Sequence, residues 1–181
     1  EIIKNARDFL ILFQCDESEE VTEDDPYYGG IGYGGDERPD LSNTQLALDA
    51  IKAAEDYEVR YSKVITDDTA NMELEKEKGL HWEKALIFLA RCQNAEEVNT
   101  MDYRTDNDGG FMYETGTYND DRSHSYGSMT YAGVKSLLYA DVDRNDIRVH
   151  RALEWIKNNF LSSRQDEKEI PQLNRKFGVT S

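Results

Sequence analysis

Two stretches of the chain concentrate the residues able to do chemistry. One reads DPYYGGIGYGGDERPD from Asp25 to Asp40, and the other reads FMYETGTYNDDRSHSYG from Phe111 to Gly127. Asp40, Asp121 and His124 are the candidate catalytic groups, because a carboxyl group or an imidazole can pass protons. His124 has Asp120 and Asp121 nearby in sequence, the composition of an acid–base pair, although a histidine in so polar a loop can equally be solvated. Tyr27, Tyr28, Tyr33, Asp36, Tyr113, Tyr126 and Tyr131 are the candidate ligand-binding residues. Tyrosine faces stabilise cations and line apolar ligand sites. The same rings also pack loops against helices and hydrogen-bond the backbone, and both roles are open here.

Other clusters read as turns rather than sites. No metal and no cofactor is expected. The two cysteines, Cys15 and Cys92, make neither a disulfide framework nor a zinc signature, and no cysteine lies near His124. Cys92 lies on an apolar stripe, as a buried thiol does. The run DNDGG at Asp106–Gly110 has the look of a calcium loop, but Arg104 and Thr115 stand where ligands are needed, so a tight turn accounts for it. Asp67 and Asp68 lie in a charged connection, and Asp141 and Asp143 suit turn formation and helix capping.

The elements that must hold these loops are helices. In KALIFLARCQN, residues Ala85, Phe88, Leu89 and Cys92 recur at helical spacing, and Gln93 closes the run. NARDFLILFQ repeats the design with Ala6, Phe9, Leu10 and Gln14, after which an apolar face of Ile3, Ala6, Phe9, Leu10 and Phe13 is expected on a helix from Ile2 to Phe13. RALEWIKNNF is a third copy, with Ala152, Trp155 and Ile156, in a helix expected at Ile147–Asn159. Each of the two long loops leads into a further helix. The first runs over NTQLALDAIKAAE, with Leu46, Ala50 and Ala53 on one face and Ser42 as N-cap. The second runs over SMTYAGVKSLLYA, with Met129, Ala132, Gly133 and Leu137 buried. Ser42, Thr44, Leu48 and Ile51 match Ser128, Thr130, Val134 and Leu137. The repeating unit is helix, glycine-aromatic loop, helix, and repetition on this scale predicts stacked helical pairs rather than a mixed sheet. Val59–Lys78 is charged and poorly periodic, which predicts a surface connection with a short helix near Met72–Lys78.

Composition narrows the partners. The 181-residue chain carries a formal net charge of -16, which repels nucleic-acid phosphates and anionic membranes, so no nucleic acid is expected as a partner. No apolar run approaches the roughly 20 residues of a membrane span. The chain opens at Glu1 rather than Met, so a processed or trimmed start and export stay open and the compartment is not fixed.

The motif K/R-A-x-x-F/W-L-x-x-x-Q followed by a glycine-aromatic turn resembles the QW repeat of squalene–hopene cyclases, whose fold protein prenyltransferase β-subunits share. The stretches DPYYGGIGYGGDERPDLSNTQLAL, FLARCQN, NDGGF and SYGSMTYAGVKSLLYA are most similar to the bacterial prenyltransferase/squalene oxidase repeat branch, over about residues 2–160. The resemblance implies an all-α fold, a partial α/α toroid formed by residues 1–161 with a polar tail at 162–181. It implies alternating outer and inner helices, with the glycine-aromatic loops feeding the inner-helix N-termini toward a cavity. An arc of five helices leaves inner faces open to association with a partner. The cyclases protonate an alkene through a D-x-D-D motif, in a stretch like PDVDDTA, held in a dry acidic site. Here the stretch is PDLSNTQ: Asp40 and Thr44 match, but Ser42 and Asn43 replace two carboxylates. Where prenyltransferases place a zinc-binding histidine, this chain has Tyr126. The resemblance therefore implies a module that binds an apolar small molecule or a protein. The alternatives are a terpenoid-cyclase-like enzyme for a polyprenyl substrate, using Asp40, and a polysaccharide-acting α/α enzyme.

Overall fold

The computed structural model describes residues 1–34, 38–65, 81–103, 106–116 and 123–162. These residues are all-helical. Five α-helices are present: α1 (Ile2–Ile11), α2 (Leu41–Ile65), α3 (Trp82–Arg91), α4 (Gly127–Tyr139) and α5 (Ile147–Ser162), with a short 3-10 turn at Glu17–Glu19. The described residues contain no strand, only two isolated antiparallel bridges, Gln14 with Ile31 and Gln93 with Phe111. None of the described helices is long and apolar enough to cross a membrane.

The two bridges mark the same joint built twice. After α1, Cys15 N–H donates to Gly30 O and Gly29 N–H to Cys15 O; after α3, Asn94 N–H donates to Gly110 O and Gly109 N–H to Asn94 O. In each unit a buried threonine of the second helix receives the loop: Ile31 N–H donates to Thr44 Oγ1 and Phe111 N–H to Thr130 Oγ1. These bonds satisfy loop backbone groups that the core would otherwise strand. Ile31 and Phe111 can thus be fully buried beside Leu48, Ile51, Phe88, Leu89, Met112 and Leu137 in one continuous core.

Each loop is also clamped to the first helix of the next unit. Gln14 Nε2 donates to the carbonyls of Gly29 and His81, and its Oε1 accepts from His81 N–H. Gln93 Nε2 likewise donates to Gly109 O and Arg148 O. Here Arg148 N–H turns instead to Asp146, which caps α5, and Gln93 Oε1 is left without a partner. The glutamine that ends one helix thereby grips the start of the next.

Four expectations are corrected. In α1 the predicted apolar face is largely open: Ala6 is exposed, and Phe9 is 59% exposed, while Arg7 is the buried residue, paired with Asp8 and Glu58. No glycine loop among the described residues covers α1 as one covers α3. In α2 the face of Leu46, Ala50 and Ala53 points to solvent, whereas Leu41, Thr44, Ala47, Leu48, Ile51 and Ala54 are buried. The cap of α2 is Asp40 rather than Ser42, and the helix continues through Val59 to Ile65, part of the stretch expected to be a surface connection. The four residues expected to be buried in α4 are buried. Residues 72–78, Asp67 and Asp68, and the tail beyond 162 lie outside the described residues.

Candidate functional site

Four of the candidate residues gather where α2 and α4 begin. Asp40 caps α2, its Oδ1 accepting Asn43 N–H at 2.8 Å while Oδ2 accepts the Asn43 side-chain amide. An acidic cap suits the positive end of the helix dipole. Asp40 is nevertheless buried, at 5% exposure, because the next residue, Leu41, is drawn fully into the core. Leu41 N–H donates to Tyr113 O, which brings the second loop across the start of α2. The Tyr113 phenol thereby lies in the field of Asp40; burial first and the Asp40 charge second push it up to about 12. Tyr126 is the N-cap residue of α4, and its carbonyl accepts Thr130 N–H and Thr130 Oγ1–H. Burial, with the Asp40 charge added, raises its phenol above the ordinary value. Tyr33 contributes to the field at Tyr113 and is 72% exposed, so the group runs from buried Asp40 outward to solvent.

The main chain and the side chain of Asn43 both donate to Asp40. The two Asp40 oxygens are therefore both engaged by the helix they cap. Tyr113 and Tyr126 both stand within the field of this fixed acceptor.

The other candidates lie elsewhere. Tyr27 is half-buried beneath the Arg38 guanidinium, 5.4 Å from its ring centre, and burial raises its phenol against the opposing effect of Arg38. Tyr28 is buried on the far side of the loop, donating to Glu17 Oε1 at 2.8 Å with Lys84 Nζ 5.7 Å from its ring centre. It belongs to the joint between units, not to the Asp40 group. Tyr131 is 65% exposed on α4. His124 Nδ1 lies 2.8 Å from Asp106 Oδ2, so the partner it meets is Asp106, 18 residues back. Asp36, Asp120 and Asp121 lie outside the described residues.

The acidic turns have structural occupants. Asp108 Oδ1 accepts from Gly110 N–H and Ser125 Oγ, and Oδ2 accepts the Trp155 indole N–H at 2.8 Å. Asp143 accepts Asn145 N–H within its turn. Among the described residues no group of three or more His, Cys, Asp or Glu is placed to hold a metal. Cys92 is fully buried, and that burial pushes its thiol well above the ordinary value; Cys15 is raised to about 11, chiefly by burial. Neither is an activated nucleophile.

Sequence reasoning missed the Lys84 clamp. Lys84 Nζ reaches Asp16 Oδ2 at 2.9 Å and Glu17 Oε2 at 2.6 Å, tying the start of α3 to the loop of the first unit. The only signal was a basic residue before the repeated alanine, shared by Lys84 and Arg151. It missed Glu114 as well, buried at 8% next to Tyr113 in sequence.

Compared with protein-family models, with curated proteins and with solved structures, the chain matches none of them. The described residues define an all-helical fold in which one helix–loop–helix joint is built twice.

Proposed function

We propose that the chain is an arc of a squalene-cyclase-like α/α toroid that works as a binding module, with the Asp40–Tyr113–Tyr126–Tyr33 group as its ligand-facing end. The observation that carries this reading is the engagement of Asp40. A cyclase acid must hold a proton aimed at an alkene in a dry site. Here both oxygens of the one matching carboxyl group accept hydrogen bonds from Asn43. Such a carboxyl group organises the site instead of reacting in it. The tyrosines beside it offer π faces and hydroxyls suited to an apolar molecule with a polar end.

The burial of Asp40 favours a second reading, a terpenoid-cyclase-like enzyme acting on a polyprenyl substrate. One experiment separates the two. The wild type and Asp40→Asn are incubated with squalene and with polyprenyl alcohols, and products and binding are measured. Asparagine caps helices about as well as aspartate, so the fold should hold to within about 1 kcal/mol. The binding reading expects no cyclised product from either protein, ligand-dependent quenching of tyrosine fluorescence in both, and loss of that quenching in Tyr113→Ala. Cyclised product from the wild type that disappears in Asp40→Asn would make the protein an enzyme.

A further inference from the structure

The chain contains three helices of one pattern, and two of them are covered in the same way. On α3, a Cβ at Gly29 would stand 1.8 Å from the Lys84 carbonyl oxygen, and one at Gly30 would stand 2.8 Å from the Phe88 ring. On α5, a Cβ at Gly109 would stand 2.5 Å from the Arg151 carbonyl oxygen, and one at Gly110 would stand 2.8 Å from the Trp155 ring. Backbone can approach a helix this closely only through glycine. Each turn thus seats its glycine pair on a basic–alanine step and the aromatic residue one turn later, while a glutamine grips the helix start at His81 or Arg148.

Helix α1 carries the same receptor with no such turn among the described residues. Ile2, Asn5, Ala6 and Phe9 occupy the places of His81, Lys84, Ala85 and Phe88. Ala85 and Phe88 are fully buried; Asn5 and Ala6 are exposed, Ile2 is 85% exposed and Phe9 59%. The second helix shows the same contrast. Ala132 and Ser136 of α4 are buried, whereas their counterparts Leu46 and Ala50 of α2 are exposed. Between these two uncovered faces runs an apolar groove of about 300 Å³, with Ile3, Ala6 and Leu10 on one side and Ala50, Ala53 and Tyr57 on the other. Apolar surface of this kind in one contiguous strip marks an interaction site.

We propose that this strip receives the glycine turn and second helix of a further unit of the same kind, standing ahead of α1 as the first unit stands ahead of α3. The occupant is specified by the joint already built twice within the chain: a glutamine at the Ile2 backbone, a glycine pair on Asn5–Ala6 and Phe9, and a helix along Leu46 and Ala50. A second folded copy is not the occupant, because the two glycine-pair turns among its described residues are already seated, on α3 and α5.

The test is a tandem protein in which residues 81–147 replace Glu1, so that a second Gly109–Gly110 turn stands ahead of α1 in the register it holds ahead of α5. Folding of the added unit is checked by protection of its own copy of α3. The amides of α1 should then exchange at least about tenfold more slowly than in the single chain. Ala6→Arg supplies the control: Ala6 is exposed, so the substitution should leave the melting temperature of the single chain unchanged, yet cancel the added protection in the tandem. Unchanged exchange in α1, or an Ala6→Arg tandem as protected as its parent, would overturn the proposal. So would a single chain that dimerises in sedimentation with Phe9 shielded, since that assigns the strip to a second copy.

Discussion

α1 and α3 share one apolar pattern and differ in what covers it. Ala6, Phe9, Leu10 and Gln14 repeat Ala85, Phe88, Leu89 and Gln93, yet Phe9 is 59% exposed and Phe88 is fully buried. Helical spacing therefore defines a face, while burial of that face is decided by the neighbouring unit. This is the behaviour of repeat proteins, whose units are stabilised mainly by contacts with adjacent units. The contrast is broken most directly at the phenylalanines. Phe88→Ala should destabilise the fold by about 3–5 kcal/mol, the range for emptying a core aromatic site, whereas Phe9→Ala should stay below about 1 kcal/mol. Urea denaturation of the two variants gives the difference, and equal losses would mean that α1 is covered in solution.

The glycine turns sharpen the same comparison at the joint itself. Gly29 and Gly109 have φ of +84° and +88°, so any side chain there is strained, and in both a Cβ points at main-chain carbonyl oxygen. Gly29→Ala and Gly109→Ala should each cost roughly 2–4 kcal/mol. The larger loss is expected at Gly29, where the gap is 1.8 Å against 2.5 Å. Gly127 is the internal control. It lies in the first turn of α4 with nothing within 4 Å of an added Cβ, so Gly127→Ala should be neutral or stabilising by up to about 1 kcal/mol. A Gly29→Ala protein as stable as the wild type would show that the turn does not sit on α3 as described.

The repeated helices and turns were legible because their signals are local: an apolar stripe, a closing glutamine and a glycine pair. What depends on distant partners was not. α2 carries Ala47, Ala50, Ala53 and Ala54 around much of its circumference, so spacing alone could not choose its buried side; Thr44 settles it by receiving Ile31 from the loop. Arg7 is buried through Glu58, 51 residues on, which no local pattern announces. Ser42 looked like the cap because serine caps well, but drawing Leu41 into the core moves the helix start back to Asp40. Within the candidate site, Asp40, Tyr33, Tyr113 and Tyr126 converge, whereas Tyr28 was separated from them by the direction in which its side of the loop faces. His124 could not be matched to Asp106 from sequence because the chain between them folds back.

The smallest expected effect lies in the charges that hold the two joints. In the first, Lys84 binds Asp16 and Glu17, and the Tyr28 hydroxyl also donates to Glu17. In the second, its counterpart Arg151 donates to the carbonyl oxygen and side-chain oxygen of Asn107 and meets carboxylates only at longer range, Glu97 at 3.4 Å and Glu154 at 3.7 Å. The hydrogen bond from Lys84, helped by a backbone bond and by Tyr28, lowers the Glu17 carboxyl from its ordinary 4.5 to about 2. A lowered carboxyl group stabilises the folded chain fully above its unfolded value and loses that contribution as pH falls through its folded value. The relevant window is therefore pH 4.5 down to about 2. Over that window the wild type should lose stability more steeply than Lys84→Met, while Arg151→Met, which removes only the longer contacts to Glu97 and Glu154, should flatten the slope less. Because Glu17 is exposed, the slope difference should be small and should shrink further in high salt. Thermal melts at stepped pH measure it; an equal flattening in Arg151→Met would mean that the two joints titrate alike and that the shorter contacts of Lys84 add nothing over the longer ones of Arg151.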